Sequence, residues 1–509
     1  MTVSALECAV PASEWRVAPR FVERVPIHFA RRHLLIGLAT ERPDVVTIAT
    51  DAIGKQSIVD NLALTLDCGT QLMIASADAI RQAIDIAYQQ QSPDLAGVVQ
   101  SIDRPENVDV QLLKNDGDLL DNAARAPVIK LVNLLLFDAA QRRASDVHVQ
   151  PAEDGVSIRL RIDGVLFEYL RVGRGLLDEL VSRIKIMGGM DIAEKRLPQD
   201  GRSTVRIGQR LIDLRISIIP TTHGERVVLR LLDKGARLFQ LAELGMAPEL
   251  LSVFEEMIQR AHGLILMTGP TGSGKSTTLY AALQRLDYTR LNVVTLEDPI
   301  EYHLTGISQT QVSDRKGMTF ATGLRSVLRQ DPDVIMVGEI RDEATARLAV
   351  QSALTGHLVL STLHTNDATG AVARLLDLGI EPYLVADALL AVGAQRLVRL
   401  NCTECRQAGP LDERDAQRLA VNPDEFGGVE RGVGCAHCNQ TGYYERQAIF
   451  ELLVPNDELR ERIQHRARVS DMRTAALQSG LRTLRQDGLR KIRAGQTTPA
   501  EVLRVVPSE

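Results

Sequence analysis

Eight consecutive residues near the middle of the chain, Gly269-Pro270-Thr271-Gly272-Ser273-Gly274-Lys275-Ser276, match the pattern G-x-x-x-x-G-K-[ST] in full. Glycines in such a loop let successive backbone N–H groups curl around phosphate oxygens. Lys275 can reach the outer phosphates of a nucleoside triphosphate, and Ser276 can hold Mg²⁺. The pattern needs a buried strand before it and a helix after it. Leu264–Thr268 supplies the first, and the stretch from Thr277 to Leu286 the second, with a helix N-terminus whose dipole favours anions. A glycine-rich turn with no ligand is the plain alternative, but it does not require the lysine, the hydroxyl and both flanking elements together. Gly269, Pro270, Thr271, Gly272, Ser273, Gly274, Lys275, Ser276 and Thr277 are therefore the expected contacts to ATP, with Ser276 also on Mg²⁺.

Hydrolysis of a bound triphosphate needs acidic groups to hold the metal and orient water. Two short apolar strands end in carboxylates. Val293-Val294-Thr295-Leu296 runs into Glu297-Asp298-Pro299-Ile300-Glu301, and Val334-Ile335-Met336-Val337 into Gly338-Glu339. Ligands of open α/β sheets bind at the carboxyl ends of the strands, so Glu297 and Glu339 are candidates for catalysis beside Lys275. Gly338 stands where many phosphate-loop proteins carry Asp, which puts more weight on Glu339. A further strand, Leu358–Leu363, is flanked by His357 and His364. A phosphate-sensing or sheet-coupling role for one of the two competes with a structural role for both. Arg325 and Arg329 lie four apart on the helix expected before Asp331, Arg341 follows Glu339, and Arg215 and Arg230 lie on strands far upstream. Singly they read as surface ion pairs; as a set they fit forked contacts to phosphate from a neighbouring domain.

Four of the six cysteines form two C-x-x-C pairs, Cys402/Cys405 and Cys435/Cys438, separated by 29 residues. In a long chain expected to be cytosolic, such pairs read as thiolate ligands of a closed, tetrahedral Zn²⁺ site. Redox-active pairs are the alternative, but no thioredoxin-like pattern surrounds them. His437 reads as a bystander, and Cys8 and Cys68 as inert thiols.

These groups need elements to position them. From Leu244 onward apolar strands alternate with helical segments, the rhythm of an α/β sheet covered on both faces. Upstream, a helix starting at Pro127 precedes the alternating strand Val156–Ile162, an Asp163-Gly164 turn, and further strands at Arg210–Ile218 and Arg226–Leu232, an α+β unit ending near residue 235. Ser92 to Asp121 is polar with Pro93, Pro105 and Gly117, and reads as a linker. Before it, a helix is expected from Pro26, and Ile80, Ile84 and Tyr88 fall on one helical face that Asp78 could cap. With 509 residues, two to four domains are expected. The net charge of −6 gives no global pull toward nucleic acid or anionic membrane. No charged start followed by an apolar stretch is read near residue 1, so no signal peptide is expected, and no run reaches the roughly 18 apolar residues needed to span a bilayer. A cytoplasmic location is the expectation, with membrane association only through partners.

The combination resembles a known family. Gly269–Ser276, Leu296–Tyr302, Arg329–Asp342 and Gly356–Asn366 are similar to the Walker A, Asp box, Walker B and His box of secretion ATPases. Ala144-Ser145-Asp146-Val147-His148 and Gln199-Asp200-Gly201-Arg202 resemble the N-terminal half of that motor. The tetracysteine insert resembles the assembly ATPases of type II secretion and type IV pili. The short front and the stretch Val25–His33 favour type II secretion.

The resemblance implies an α/β protein: a RecA-like ATPase domain over 236–509, with a zinc subdomain at 396–452 and C-terminal helices at 453–509. An α+β PAS-like domain at 121–235 precedes it, and a small α/β docking domain plus linker occupies 1–120. It also implies a homo-hexamer that hydrolyses ATP to drive pseudopilus assembly and protein export. Its front domain would dock on the cytoplasmic part of an inner-membrane platform protein, without direct nucleic-acid contact. Within that scheme Glu297 corresponds to the general base, Glu339 to the Mg²⁺-linked glutamate, and Arg215 and Arg230 to arginines that reach the nucleotide. Arg325, Arg329, Arg341, Arg374 and Arg446 correspond to arginines tied to activity or assembly. A type IV pilus assembly or DNA-uptake ATPase is the nearest alternative. A DNA translocase and a non-hydrolysing ATP-binding module are more distant ones.

Overall fold

The computed structural model describes residues 6–7, 15–25, 27–42, 44–90, 127–207, 210–233, 238–313, 316–426 and 428–506. The linker expected at 92–121, and Pro26 and Cys8, lie outside them. The chain divides into two compact units, 1–236 and 237–509.

The first unit contains two sheets. The smaller comprises β1 (Leu6–Glu7), β2 (Leu35–Ala39), β3 (Val45–Thr50) and β4 (Gly69–Ile74) in the order β1-β4-β3-β2. Helix Gln56–Leu66 carries the chain between the parallel strands β3 and β4, as a crossover must. Helix Ile27–His33 forms where expected. Helix Ala77–Gln90 buries Ile80 and Ile84 at its expected spacing, and Tyr88 Oη donates to the Val25 carbonyl at 2.6 Å. The cap is Ser76, not Asp78. The helix already begins at Ala77, so Ser76 Oγ accepts the Ala79 N–H at 3.2 Å, whereas Asp78 bonds Arg81 within the first turn.

The larger sheet is antiparallel throughout. It comprises β5 (Ala144–Pro151), β6 (Val156–Ile162), β7 (Val165–Val172), β8 (Gln199–Ile207), β9 (Arg210–Thr221) and β10 (Gly224–Asp233), in the order β7-β6-β5-β10-β9-β8. Asp163 and Gly164 make the β6–β7 turn with φ of 49° and 83°, the twist a two-residue hairpin needs. One face, from Val147, Ile158, Leu214, Ile216 and Leu229, packs with helices Pro127–Gln141 and Leu177–Gly188 in one buried cluster. The other face brings Asp146, Arg161, Arg230 and Arg215 into adjacent positions, because these residues pair across β6, β5, β10 and β9.

The second unit is built on β11 (Gly263–Thr268), β12 (Val293–Glu297), β13 (Ser308–Gln311), β14 (Val334–Val337), β15 (Leu358–Leu363) and β16 (Leu389–Asn401). After β16, β17 (Arg406–Gly409) and β18 (Val429–Gly432) pair with each other, and β19 (Tyr443–Leu453) returns antiparallel to β16. The seven-stranded order is β13-β12-β14-β15-β11-β16-β19, with β11 to β15 all parallel to their neighbours. The strands expected at 264–268, 293–296, 334–337 and 358–363 all form. Being buried on both faces, they read as continuous apolar runs. Helices Phe320–Val327, Glu343–Leu354 and Ala368–Asp377 share one core cluster, and helices Pro248–Ile258 and Lys275–Leu283 another.

The C-terminal helix Pro499–Val505 is pinned to this sheet by charge. Glu501, whose side chain is 2% exposed, accepts from Arg399 on β16 at 2.6 Å and from Arg504 at 2.8 Å. Burial alone would raise its carboxyl, but the two guanidiniums override that and hold it at about 2 instead of 4.5. The folded-state value lies below the unfolded one, so the stabilisation is complete above about pH 4.5 and is lost as pH falls toward 2. Glu501→Gln is expected to lower stability by on the order of 2–3 kcal/mol at pH 7 and by far less at pH 3. Thermal unfolding of both proteins at the two pH values checks this.

Candidate nucleotide site and tetracysteine centre

The phosphate-type loop leaves β11 at Thr268 and enters its helix at Lys275, two residues earlier than the sequence pattern predicts. The difference arises at Gly274, whose φ of 87° makes it the residue before the first helical turn. Gly269 and Gly272 also take positive φ, 149° and 79°. Two of these glycines are required sterically. A Cβ on Gly269 would lie 2.5 Å from the Gln395 carbonyl oxygen, and one on Gly274 2.8 Å from Gln395 Nε2. The polar pair Gln395-Arg396 of β16 thus underlies the loop. Gln395 Oε1 accepts from Thr278 of the loop's helix at 2.8 Å, and Arg396 donates to the carbonyls of Gln395 (3.0 Å) and Asn366 (2.7 Å).

Lys275 folds back over its own loop and donates to the carbonyls of Gly269 at 2.8 Å and Pro270 at 3.1 Å. Burial pushes its ammonium down to about 8, with Glu339 opposing the shift. The Ser273 hydroxyl is buried with no partner, and Ser276 is exposed at the helix start. A loop holding an orphaned buried hydroxyl and a desolvated ammonium fits an incoming polyanion that would take hydrogen bonds from both.

The two carboxylates differ in setting. Glu297 closes β12 and is 4% exposed. It accepts from Tyr280 Oη, from Thr295 Oγ1 at 2.5 Å and from Gln309 Nε2 at 3.1 Å. Glu339 is more open. It bonds Arg341 and faces His364 Nε2 at 3.3 Å. Burial would raise its carboxyl, but Arg341 and His364 outweigh that and hold it below the usual range. Gly338 has a packing reason for lacking a side chain. Its N–H donates to the Leu296 carbonyl at 2.7 Å, and a Cβ there would stand 3.2 Å from that oxygen.

The histidines separate. His364 follows β15 at the edge that carries Glu339, and its neighbour Thr365 hydrogen-bonds Thr268 through backbone and side chain at 2.8 and 2.7 Å. His357 precedes β15 and bonds the Ser352 carbonyl at 3.0 Å, a structural contact. Arg341 sits 3.7 Å from Asp298 as well as on Glu339. Arg325 lies in the last turn of a helix that stops at Val327. Arg329 therefore lies past it and not on the same helix; it caps the Arg325 carbonyl at 2.9 Å. Arg374 lies in helix Ala368–Asp377 and Arg446 on β19. Arg215 and Arg230 belong to the first unit, directly opposite each other on β9 and β10, with Arg230 Nε 3.0 Å from Asp146. Sequence reasoning missed Tyr280, Gln395 and Arg396. For the last two a signal existed: a polar pair inside the apolar run Leu389–Val398.

The four thiols of Cys402, Cys405, Cys435 and Cys438 come together, all Sγ atoms within 4.8 Å of one another. Near pairs stand 3.7 and 3.8 Å apart. That is too far for a disulfide, which needs about 2.05 Å. It matches the roughly 3.8 Å edge of a tetrahedron with zinc–sulfur bonds of about 2.3 Å. Backbone N–H groups of Gly434 and Gly442 donate to Cys405 and Cys438 at 3.3 Å, the arrangement that stabilises thiolate charge. His437 is outside the set and stacks on Tyr444 at 4.1 Å. Cys402 follows β16 and Cys438 precedes β19, so a Zn²⁺ here would tie together the ends of that antiparallel pair. Cys68 is a free thiol.

A parallel α/β sheet with this loop and two carboxylates at strand ends defines a phosphate-loop nucleotide-binding protein. The narrower class comes from comparison with known proteins. Residues 121–504 match the family "Type II/IV secretion system protein", and residues 6–94 the "MshEN domain". Type II secretion system protein E of Pectobacterium carotovorum subsp. carotovorum is 49% identical over 445 residues, covering 87% of this chain and 89% of that protein. The type IV pilus assembly ATPase PilB of Myxococcus xanthus is 42% identical over 503 residues, covering 97% and 88%. The X-ray structure of the Legionella pneumophila ATPase DotB shares the fold, with a TM-score of 0.56 at 20% identity over 77% of this chain and 99% of that one. The chain belongs to the type II/IV secretion system ATPase family.

Two predictions follow from these geometries. A triphosphate favours charged Lys275, so nucleotide binding should take up a proton above about pH 8 and weaken as pH rises further. Titration calorimetry at pH 8.5 in buffers of different ionisation enthalpy measures that uptake. Cys435→Ser should abolish binding of one zinc per chain, read by metal analysis, and open residues 402–442 to protease.

Proposed function

We propose that this chain is the ATP-hydrolysing motor of a type II secretion system, working as a homo-hexamer at the cytoplasmic face of an inner-membrane platform protein. The observation that carries the reading is that Lys275 and its loop share one sheet edge with Glu339 and His364. Gly269, Pro270, Thr271, Gly272, Ser273, Gly274, Lys275, Ser276 and Thr277 bind the phosphates, and Ser276 supplies a hydroxyl ligand to Mg²⁺. When bound, Mg²⁺ neutralises charge on the outer phosphates.

The γ-phosphorus accepts water as the bond to the ADP oxygen breaks, giving ADP and phosphate. Glu297 and Glu339 are the carboxylates that orient the water and the metal shell. Arg215 and Arg230 contribute guanidinium charge toward the phosphates, the role the family resemblance gives them. The Cys402, Cys405, Cys435 and Cys438 thiolates hold Zn²⁺ in a structural site. The greater identity to a type II secretion relative than to PilB supports secretion as the machine driven. Pilus assembly is the second reading, supported by the near full-length PilB similarity.

Lys275→Ala is expected to reduce phosphate release by purified full-length protein at least 100-fold. Undiminished turnover would remove the assignment. Stimulation of the wild-type ATPase by the cytoplasmic part of a secretion platform protein, and not by that of a pilus platform protein, separates the two machines.

A further inference from the structure

Tyr280 is among the largest fully enclosed side chains of the chain, on the fifth residue after Lys275 in the same helix. Its hydroxyl does two things at once. It donates to the Glu297 carboxylate, and it accepts the Glu301 backbone N–H at 3.2 Å. Its ring meets Tyr302 edge-on at 6.1 Å between centroids. One oxygen atom therefore joins the phosphate-loop helix to both ends of the acidic segment Glu297-Asp298-Pro299-Ile300-Glu301.

The other groups on Glu297 complete the arrangement. Thr295 and Gln309 donate to Oε1, while Gln309 also bonds the Tyr302 carbonyl at 3.0 Å and the Leu304 N–H at 2.7 Å. Among the described residues, the side chains that donate to this nearly enclosed carboxylate, Tyr280, Thr295 and Gln309, are all neutral. Its orientation then depends on each donor, since a hydrogen bond weakens steeply as it departs from linearity. Burial and the neighbouring carboxylate both keep the Tyr280 phenol protonated, hence a permanent donor.

We propose that the Tyr280 hydroxyl is a positioning group for ATP hydrolysis: it sets the Glu297 carboxylate and the Glu301 backbone relative to the phosphate loop without touching nucleotide. The proposal rests on the ATPase reading above. A phenylalanine ring fills the same space, so Tyr280→Phe removes the oxygen and little else.

The test compares full-length, zinc-loaded Tyr280→Phe, Glu297→Gln and the double variant with the wild type, by steady-state ATPase assay and binding of a fluorescent ATP analogue. The expected result for Tyr280→Phe is a kcat lowered about 10-fold or more, with KM and analogue affinity within about two-fold of wild type. In the double variant the loss should be no greater than in Glu297→Gln alone, because the hydroxyl acts through that carboxylate. Wild-type kcat in Tyr280→Phe, a proportional loss of nucleotide affinity, or fully additive losses overturns the proposal. Full activity in Glu297→Gln rejects instead the assignment of Glu297 to the reaction. If Tyr280→Phe does not fold, Thr295→Val removes a donor from the same carboxylate at equal volume. The same kcat-only loss supports the proposal, and wild-type kcat overturns it.

Discussion

The register of the parallel ladder is the constraint on which the rest of the site depends. Thr268 pairs with Leu363, and Val337 pairs with both Leu296 and Ser361. Four strands therefore finish within about two residues of one another, and whatever follows each is delivered to a common edge. The phosphate loop follows β11, the first acidic segment follows β12, Gly338-Glu339 follows β14 and His364 follows β15. A one-residue slip of β14 would exchange Ile335 and Val337 with Val334 and Met336 between the two cores that cover the sheet. The apolar runs of these strands are thus the reason that Lys275, Glu339 and His364 can share one locality.

Second to register comes the treatment of positive charge. Lys275 and Arg396 are both enclosed near the loop, and burial pulls both below their ordinary values. Carbonyl oxygens accept their hydrogens, which satisfies geometry while leaving much of the charge uncompensated. A phosphate chain is the natural counterpart of such an arrangement. The first unit shows a contrasting solution on its open sheet face, where Arg161 and Arg230 share the nearly enclosed Asp146.

Much of this was readable before any coordinates, and the reasons are local. The phosphate loop and the two C-x-x-C pairs are contiguous patterns whose spacing is itself the geometry. The central strands were legible as unbroken apolar runs. β5 and β8 were not read as strands. β5 alternates Val147 and Val149 with Asp146 and His148, so half of it looks polar, and β8 buries only Val205 and Ile207. The cap at Ser76 turned on a two-residue shift of the helix start that composition does not set. Tyr280 and Gln395 were invisible for a different reason: their partners, Glu297 and Thr278, are 17 and 117 residues away in sequence. Only tertiary packing brings them together.

One strand has a consequence for how damage to this molecule would present itself. Within residues 395–402, β16 and the residue after it supply Gln395 and Arg396 beneath the glycine loop, Arg399 to the tail helix and Cys402 to the thiol cluster. Loosening the tail, or removing a metal held by the thiol cluster, would shift the strand beneath the phosphate-type loop. Lesions at Glu501 or Cys435, remote in sequence from the loop, would then masquerade as lesions in it. A search for inactive variants would collect all three groups under one phenotype, and only measurements of metal content and acid tolerance would sort them apart.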